Sequence, residues 1–221
     1  MGKMKYGESA FDIVYLLFAI TAGILILWRN RDRIGKWMGF AVLILGCGDA
    51  FHLVPRVLNY FVDADFTAWL GIGKFITSIT MTVFYLLMYR LWIDFYGERE
   101  NKRLCAVVYA LSAIRIILCL LPQNRWLENE SSVVWGIVRN VPFVALGIIV
   151  ICLYFTTRKE YNGFRPVWLL VTLSFVFYIP VAVAASLVPM LGMLMLPKTV
   201  CYMILIALFL KSGRLAQPET E

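Results

Sequence analysis

Seven apolar runs, each near the length needed to cross a bilayer, dominate the sequence. They cover residues 10–28, 38–58, 68–96, 104–121, 133–155, 167–187 and 191–210. A transmembrane helix needs about 20 predominantly apolar residues. Of the 221 residues, 61% are hydrophobic and 16% charged, whereas soluble domains average about 45–50% and about 25%. The sequence therefore predicts an all-α, multi-pass protein of the cell membrane, with one seven-helix bundle over residues 1–221.

Charge in the connecting segments predicts the orientation of the bundle. Alternate connections are basic, with Arg29, Arg31, Arg33 and Lys36, then Arg99, Lys102 and Arg103, then Arg158, Lys159 and Arg165, and finally Lys211 and Arg214. Lys3 and Lys5, before the first run, oppose this trend but are outnumbered. Short cytoplasmic loops carry the excess of Lys and Arg. We therefore expect the N-terminus outside the cytoplasm and the C-terminus inside, and the net charge of +7 needs no nucleic-acid partner.

The tryptophans give an independent indication of the same arrangement, since their rings favour membrane interfaces. Four fall at the expected inner ends and three at the outer ends: Trp28, Trp37, Trp92 and Trp168, against Trp69, Trp126 and Trp135.

Neither a metal site nor a cofactor is expected. The five cysteines all lie within apolar runs, and the chain has one histidine, too few ligands for a zinc site with three protein side chains. Lys198 on the last helix invites comparison with a retinal Schiff base, but the third helix offers no mid-membrane carboxylate as a counter-ion.

The second apolar run carries an intramembrane polar stripe. Asp49, His52 and Arg56 have the i, i+3, i+7 spacing of one helix face. At about 1.5 Å per residue, Asp49 lies roughly 17 Å from the inner end of its helix, near the bilayer midplane. A charged group there costs about 2.5–3.5 kcal/mol, so it requires a partner. The stripe indicates either a functional site or a polar cluster that holds helices together.

Other helices place basic and polar residues at a similar depth. The basic ones are Arg56, Lys74, Arg115, Arg139 and Lys198, and Ser78, Tyr85, Tyr178 and Tyr202 are candidate supporting groups. Five unpaired cations would cost roughly 12–17 kcal/mol at mid-membrane values. The cations either snorkel to the headgroups or line a hydrated cavity. The sequence favours an outward-opening cavity that suits a phosphate or carboxylate, because Arg and Lys offer donors and no competing acceptor.

One stretch resembles a known family. The stretch consists of Gly48-Asp49-Ala50, Leu53, Pro55 and Arg56, followed by Gly73, Phe75 and Ser78 on the next helix. This pattern is similar to the motif of the lysoplasmalogenase-like membrane proteins. That resemblance implies a compact helical membrane protein that hydrolyses the vinyl-ether bond of lysoplasmalogens, with Asp49 as an essential carboxylate. The chain departs from the family pattern at Ile79, where a histidine is usual, and in having no aspartate after Asp94.

These features together predict a membrane protein that binds a phospholipid or another anionic amphiphile, and the resemblance implies a lysoplasmalogenase-like hydrolase. In such an enzyme Asp49 would serve as the acid and His52 as the base, while Arg56 and Lys74 would hold the lipid phosphate. The alternative is a non-catalytic receptor or carrier for an anionic small molecule or lipid. A transporter is less favoured, because the sequence shows neither paired half-helices nor repeat symmetry.

Overall fold

A computed structural model describes residues 2–97, 101–130, 132–184 and 188–212. It contains seven long helices: α1 (Gly2–Arg29), α2 (Arg33–Phe61), α3 (Thr67–Tyr96), α4 (Lys102–Leu120), α5 (Val133–Thr156), α6 (Val167–Ala184) and α7 (Met195–Ser212). The prediction of seven helices is confirmed. Some features named above lie outside the described residues: the predicted end of the sixth span at residue 187, the positions of Arg99 and Arg214, and the side chain of Lys3.

All seven helices are long and apolar enough to cross a membrane. Large apolar side chains cover the outside of the bundle. Leu17, Ile117, Ile148 and Val176, for example, are each more than 50% exposed. A soluble protein avoids large contiguous apolar patches, whereas lipid solvates them. The chain is therefore a multi-pass integral membrane protein.

The first and last helices begin differently from the prediction. α1 begins at Gly2 rather than Ala10, and Glu8 in this added N-terminal part pairs with Arg56 of α2. Before α7, a 3-10 helix occupies Pro189–Leu194, and α7 itself begins at Met195. Pro197 then lies in the first turn of α7, where its missing N–H breaks no helical hydrogen bond.

Each helix packs against its neighbour in sequence, α7 returns to α1, and α3 also contacts α5. One end of the bundle, here called the N-terminal side, contains the start of α1, the α2–α3 and α4–α5 connections and the start of α7. Two 3-10 helices, Pro122–Asn124 and Trp126–Glu128, form half of the α4–α5 connection on this side.

Two glycines allow α2 and α3 to approach closely. A side chain at Gly48 would meet Thr80, and one at Gly73 would meet the backbone of Phe51. Thr77 uses the resulting proximity to donate a hydrogen bond of 3.0 Å to the Gly48 carbonyl. Small residues of this kind are the usual means of close helix packing in membranes. This contact holds α2 and α3 together along the wall of the site described next.

Candidate functional site

A cavity of about 430 Å³ opens in the N-terminal side of the bundle. Its volume falls within the range of about 300–1,000 Å³ usual for ligand pockets. Helices α2 to α7 all contribute to it, as does the α4–α5 connection. Four of its lining residues are basic: Lys74, Arg115, Arg139 and Lys198. Within the described part of the chain, the lining contains no aspartate or glutamate.

Arg115 is buried, with 2% of its surface exposed. Its guanidinium donates hydrogen bonds of 3.1 Å to the Arg139 carbonyl and 2.8 Å to the Asn140 side-chain oxygen. It also lies 3.8 Å from the centroid of the Phe143 ring, in cation–π geometry. The same Asn140 oxygen accepts a hydrogen bond of 2.7 Å from Tyr178. Arg115 is therefore held in place by neutral groups.

The α4–α5 connection forms hydrogen bonds with two further cations of the cavity, Arg139 and Lys74. Asn124 accepts a hydrogen bond of 2.9 Å from Arg139, whose guanidinium also lies 4.5 Å from the Trp126 ring. Asn129 accepts a hydrogen bond of 2.7 Å from Lys74. The connection itself is fixed by the Trp126 indole, which donates to the Cys119 carbonyl at 2.8 Å.

Lys198 approaches from α7 and is 8% exposed. Its ammonium lies 5.2 Å and 5.5 Å from the ring centroids of Tyr178 and Tyr202. It is close enough to act electrostatically on both Asp49 and His52. The Tyr202 hydroxyl lies 3.2 Å from that of Tyr85, so these two tyrosines belong to the core beneath the lysine.

Seven of the residues singled out from the sequence line the cavity: His52, Lys74, Ser78, Arg115, Arg139, Tyr178 and Lys198. Asp49, Arg56, Tyr85 and Tyr202 lie outside its lining. Asp49 instead accepts a hydrogen bond of 2.7 Å from Tyr15 of α1. Arg56 pairs with Glu8 of α1, which also accepts a hydrogen bond of 2.9 Å from Tyr60.

The expected polar stripe on α2 thus divides between two neighbours. At about 100° per residue, Arg56 lies about 20° around the helix from Asp49, whereas His52 lies about 60° away. Asp49 and Arg56 face α1, and His52 reaches the cavity between α2 and α3.

Sequence reasoning missed the α4–α5 connection. Asn124, Trp126, Asn129 and Ser132 all line the cavity. Arg125 and Asn129 have positive φ angles of 47° and 55°, so the chain turns sharply at both positions. The asparagine-rich stretch after Pro122 favours turns, and this is the one signal that marks it in the sequence.

The described lining of the cavity brings four positively charged side chains together and contains no carboxylate; Asp49, which lies outside the lining, acts electrostatically on Lys198. Hydrogen bonds to asparagine oxygens and contacts with aromatic faces satisfy donors but carry no net negative charge. Positive charge that is buried at membrane depth is costly. An anion that enters the cavity offsets part of that cost, and the fork of Arg is well suited to phosphate or carboxylate oxygens.

Comparison with protein-family models, with curated proteins and with solved structures finds no match to the chain. The similarity to lysoplasmalogenase-like proteins therefore rests on the motif residues alone and stays a prediction. The fold defines a polytopic membrane protein, and its described residues form a cavity lined by four cations.

Proposed function

We propose that this protein binds an anionic amphiphile, such as a phospholipid, with the phosphate in the cationic cavity. The observation that carries the proposal is the convergence of Lys74, Arg115, Arg139 and Lys198 from four helices. The described lining supplies no carboxylate to compensate them. Phosphate is the common membrane group that offers several charged acceptors to such a cluster.

An amphiphile fits the remaining walls of the cavity. Met81, Phe143, Val181 and Met195 also line it. Apolar side chains beside a few convergent polar groups are typical of sites that bury most of a ligand. The polar groups bind the head, and these residues accommodate the first part of an acyl chain.

The orientation predicted from the sequence would put this site on the extracytoplasmic side. Arg29, Arg31, Arg33 and Lys36 lie at the opposite end of the bundle from the cavity. If that end is cytoplasmic, as the positive-inside rule indicates, the ligand comes from the outer leaflet.

Binding is favoured over hydrolysis by the position of Asp49. As the acid of a vinyl-ether hydrolase, Asp49 must reach the substrate. Its carboxylate accepts a hydrogen bond from Tyr15 at the α1–α2 interface, and it is not among the cavity-lining residues. The role of a receptor or carrier needs only the cavity. Release of a fatty aldehyde, which the family resemblance implies, stays a separate prediction.

The test is a binding measurement on the purified protein in non-ionic detergent. We expect short-chain phosphatidylglycerol to bind and diacylglycerol of equal chain length not to bind. Arg115→Gln and Lys198→Gln should each weaken phosphatidylglycerol binding about tenfold or more, the order of one charge-assisted hydrogen bond. Arg31→Gln is the matched control, because Arg31 is exposed at the opposite end.

Equal affinity for the anionic and the neutral lipid would overturn the proposal. Unchanged affinity in both cavity variants would do the same. Analysis of lipid phosphorus in the purified protein adds a direct check, since the wild type should retain more lipid phosphate than Arg115→Gln.

A further inference from the structure

A second buried polar cluster lies on α1, the helix that packs against α2 and α7. Asp12 comes three residues after Ser9 and three before Tyr15, so it neighbours both on the helix surface. All three side chains are buried, and Asp12 is 3% exposed. The Tyr15 hydroxyl donates a hydrogen bond of 2.7 Å to Asp49 of α2. Asp12 therefore lies one helical turn from the residue that contacts Asp49, and the two carboxylates act electrostatically on each other.

Two atoms of this cluster lack a hydrogen-bond partner among the described residues: Oδ2 of Asp12 and Oγ of Ser9. Both atoms are closed off from solvent, which leaves no space beside them for a water molecule. An ionised carboxylate that is buried without compensation is costly, and such a group generally becomes neutral by binding a proton. A proton needs no cavity of its own.

The titratable groups around this cluster come from the three helices that meet there: Asp12 and Tyr15 of α1, Asp49 of α2, and Lys198 and Tyr202 of α7. The carboxylate of Glu8, one turn before Asp12, is already paired with Arg56. Among the groups of the cluster, two carboxylates stand against the one ammonium of Lys198. A single proton on the pair of carboxylates therefore brings the cluster to neutrality.

Lys198 connects this cluster to the anion cavity. It lines the cavity, and it acts electrostatically on both Asp49 and His52. An anion beside the Lys198 ammonium adds negative potential at Asp49 and so reduces the compensation that Asp49 receives. Two carboxylates that share a site resist simultaneous ionisation, and the added negative charge increases that resistance.

We propose that Asp12 and Asp49 form a proton-binding site that is coupled to the anion cavity through Lys198. This inference rests on the proposed binding function and adds that a proton binds together with the anion. The proton comes from the aqueous phase and forms an O–H bond with one carboxylate of the pair. Because linkage is reciprocal, each ligand strengthens the binding of the other. The affinity for the anion therefore rises as the pH falls.

The experiment counts the protons that are taken up when a lipid binds. Dihexanoyl phosphatidylglycerol, whose phosphodiester keeps its charge, is added to the full-length protein in non-ionic detergent and weakly buffered solution. A pH-indicator dye reports proton uptake over about pH 5 to 8, a range in which exposed carboxylates are already ionised. We expect the wild type to take up as much as one proton per bound lipid. Over the same range its affinity should rise by up to about tenfold for each unit that the pH falls.

Asp12→Asn tests the carboxylate pair. The amide has nearly the shape of a protonated carboxyl group, and Asp49 keeps Tyr15 and Lys198 as its partners. We expect this variant to bind the lipid while its proton uptake falls close to zero. Asp63→Asn is the matched control, because Asp63 is an exposed carboxylate in the α2–α3 connection, and its uptake should equal that of the wild type.

His52→Gln removes the histidine of the cavity wall, which also titrates in this range. Whatever its effect on affinity, this variant should retain proton uptake per bound lipid. Infrared difference spectra of the wild type give a second readout that needs no variant. Lipid binding should produce a carboxylic-acid carbonyl band that shifts in D2O, unlike the ester carbonyl bands of the lipid.

The outcomes separate this inference from the proposed function. Lipid binding without proton uptake anywhere in the range would leave the anion site standing and overturn the coupling. Uptake that persists in Asp12→Asn and disappears in His52→Gln would assign the proton to His52 and overturn the pair. Uptake without a new carboxylic-acid band would do the same. If the lipid does not bind to the wild type, the proposed function and the coupling both fail.

Discussion

Arg115 donates a hydrogen bond of 2.8 Å to the side-chain oxygen of Asn140 inside the membrane-spanning bundle. A buried arginine commonly pairs with a carboxylate, and here an amide takes that place. The same oxygen also accepts from Tyr178, so a single neutral group positions two donors of the cavity wall. The arrangement fixes the geometry of the cation and leaves its charge available to a ligand.

This relationship predicts opposite effects of one substitution on stability and on binding. Asn140→Asp keeps the size and the acceptor oxygen, removes the amide that donates to the Gly136 carbonyl at 2.8 Å, and adds a negative charge beside Arg115. We expect the thermal stability of the empty protein to stay equal or rise, because the new carboxylate compensates the cluster. Affinity for an anionic lipid should fall about tenfold or more. Thermal unfolding and lipid titration of the same preparation measure both effects.

Asn140→Leu serves as the control for that substitution. It removes the acceptor without adding charge, so Arg115 and Tyr178 lose a partner and stability should fall by about 1–3 kcal/mol. Stronger anion binding by Asn140→Asp would contradict the model of a cationic site that binds anions.

Arg56 should contribute to stability and not to the affinity for lipid. It pairs with Glu8, and side-chain exposures of 25% and 17% leave the pair partly open to solvent. Solvent screening limits the contribution of such a pair to about 1 kcal/mol or less. Arg56→Gln should therefore lower the unfolding temperature modestly, while phosphatidylglycerol affinity stays within about twofold of the wild type. A tenfold loss of affinity would place Arg56 in the binding site after all.

Asp49→Asn separates binding from catalysis. The carboxylate accepts a hydrogen bond from Tyr15 and lies outside the cavity lining, so the variant should retain its lipid affinity. Weakening an interhelical hydrogen bond in a membrane protein costs about 0.6–1.7 kcal/mol, which unfolding in detergent would detect. Aldehyde release from a lysoplasmalogen, measured on wild type and variant, tests the family resemblance. Release by the wild type that is lost in Asp49→Asn would establish the hydrolase.

The close contact of α2 with α3 should depend on Gly73. A methyl group added there meets the Phe51 carbonyl and the His52 backbone, whereas at Gly7 it meets nothing within 4 Å. Overpacking of this kind costs about 1–3 kcal/mol. We expect Gly73→Ala to lower thermal stability and Gly7→Ala, in an exposed part of α1, to leave it unchanged. Equal stability of the two variants would show that α2 and α3 are not as close as described.

The orientation is testable by labelling single cysteines in intact cells. In a background with the five native cysteines replaced by alanine, a membrane-impermeant thiol reagent should label Asp63→Cys directly. It should label Arg31→Cys only after permeabilisation, because the basic connections are expected in the cytoplasm. The reverse pattern would place the cavity on the cytoplasmic side.

The sequence by itself determined the seven helices, since the need to match an apolar run to the bilayer is local and is met residue by residue. It also identified most of the ionisable groups of the cavity, because a charge at membrane depth stands out in composition alone. It grouped Asp49 and Arg56 with His52, whereas the first two lie outside the cavity lining and share a helix face with each other more closely than with His52.

Only the tertiary structure decided which neighbour each face meets. A difference of about 40° around α2 directs Arg56 to Glu8 and His52 to the cavity, and no periodicity in one helix specifies what packs against it. The asparagines of the α4–α5 connection became visible as partners of Arg139 and Lys74 only where the chain folds back over the bundle. Contacts between residues far apart in sequence depend on the packing of all seven helices, and that packing placed four cations around one space.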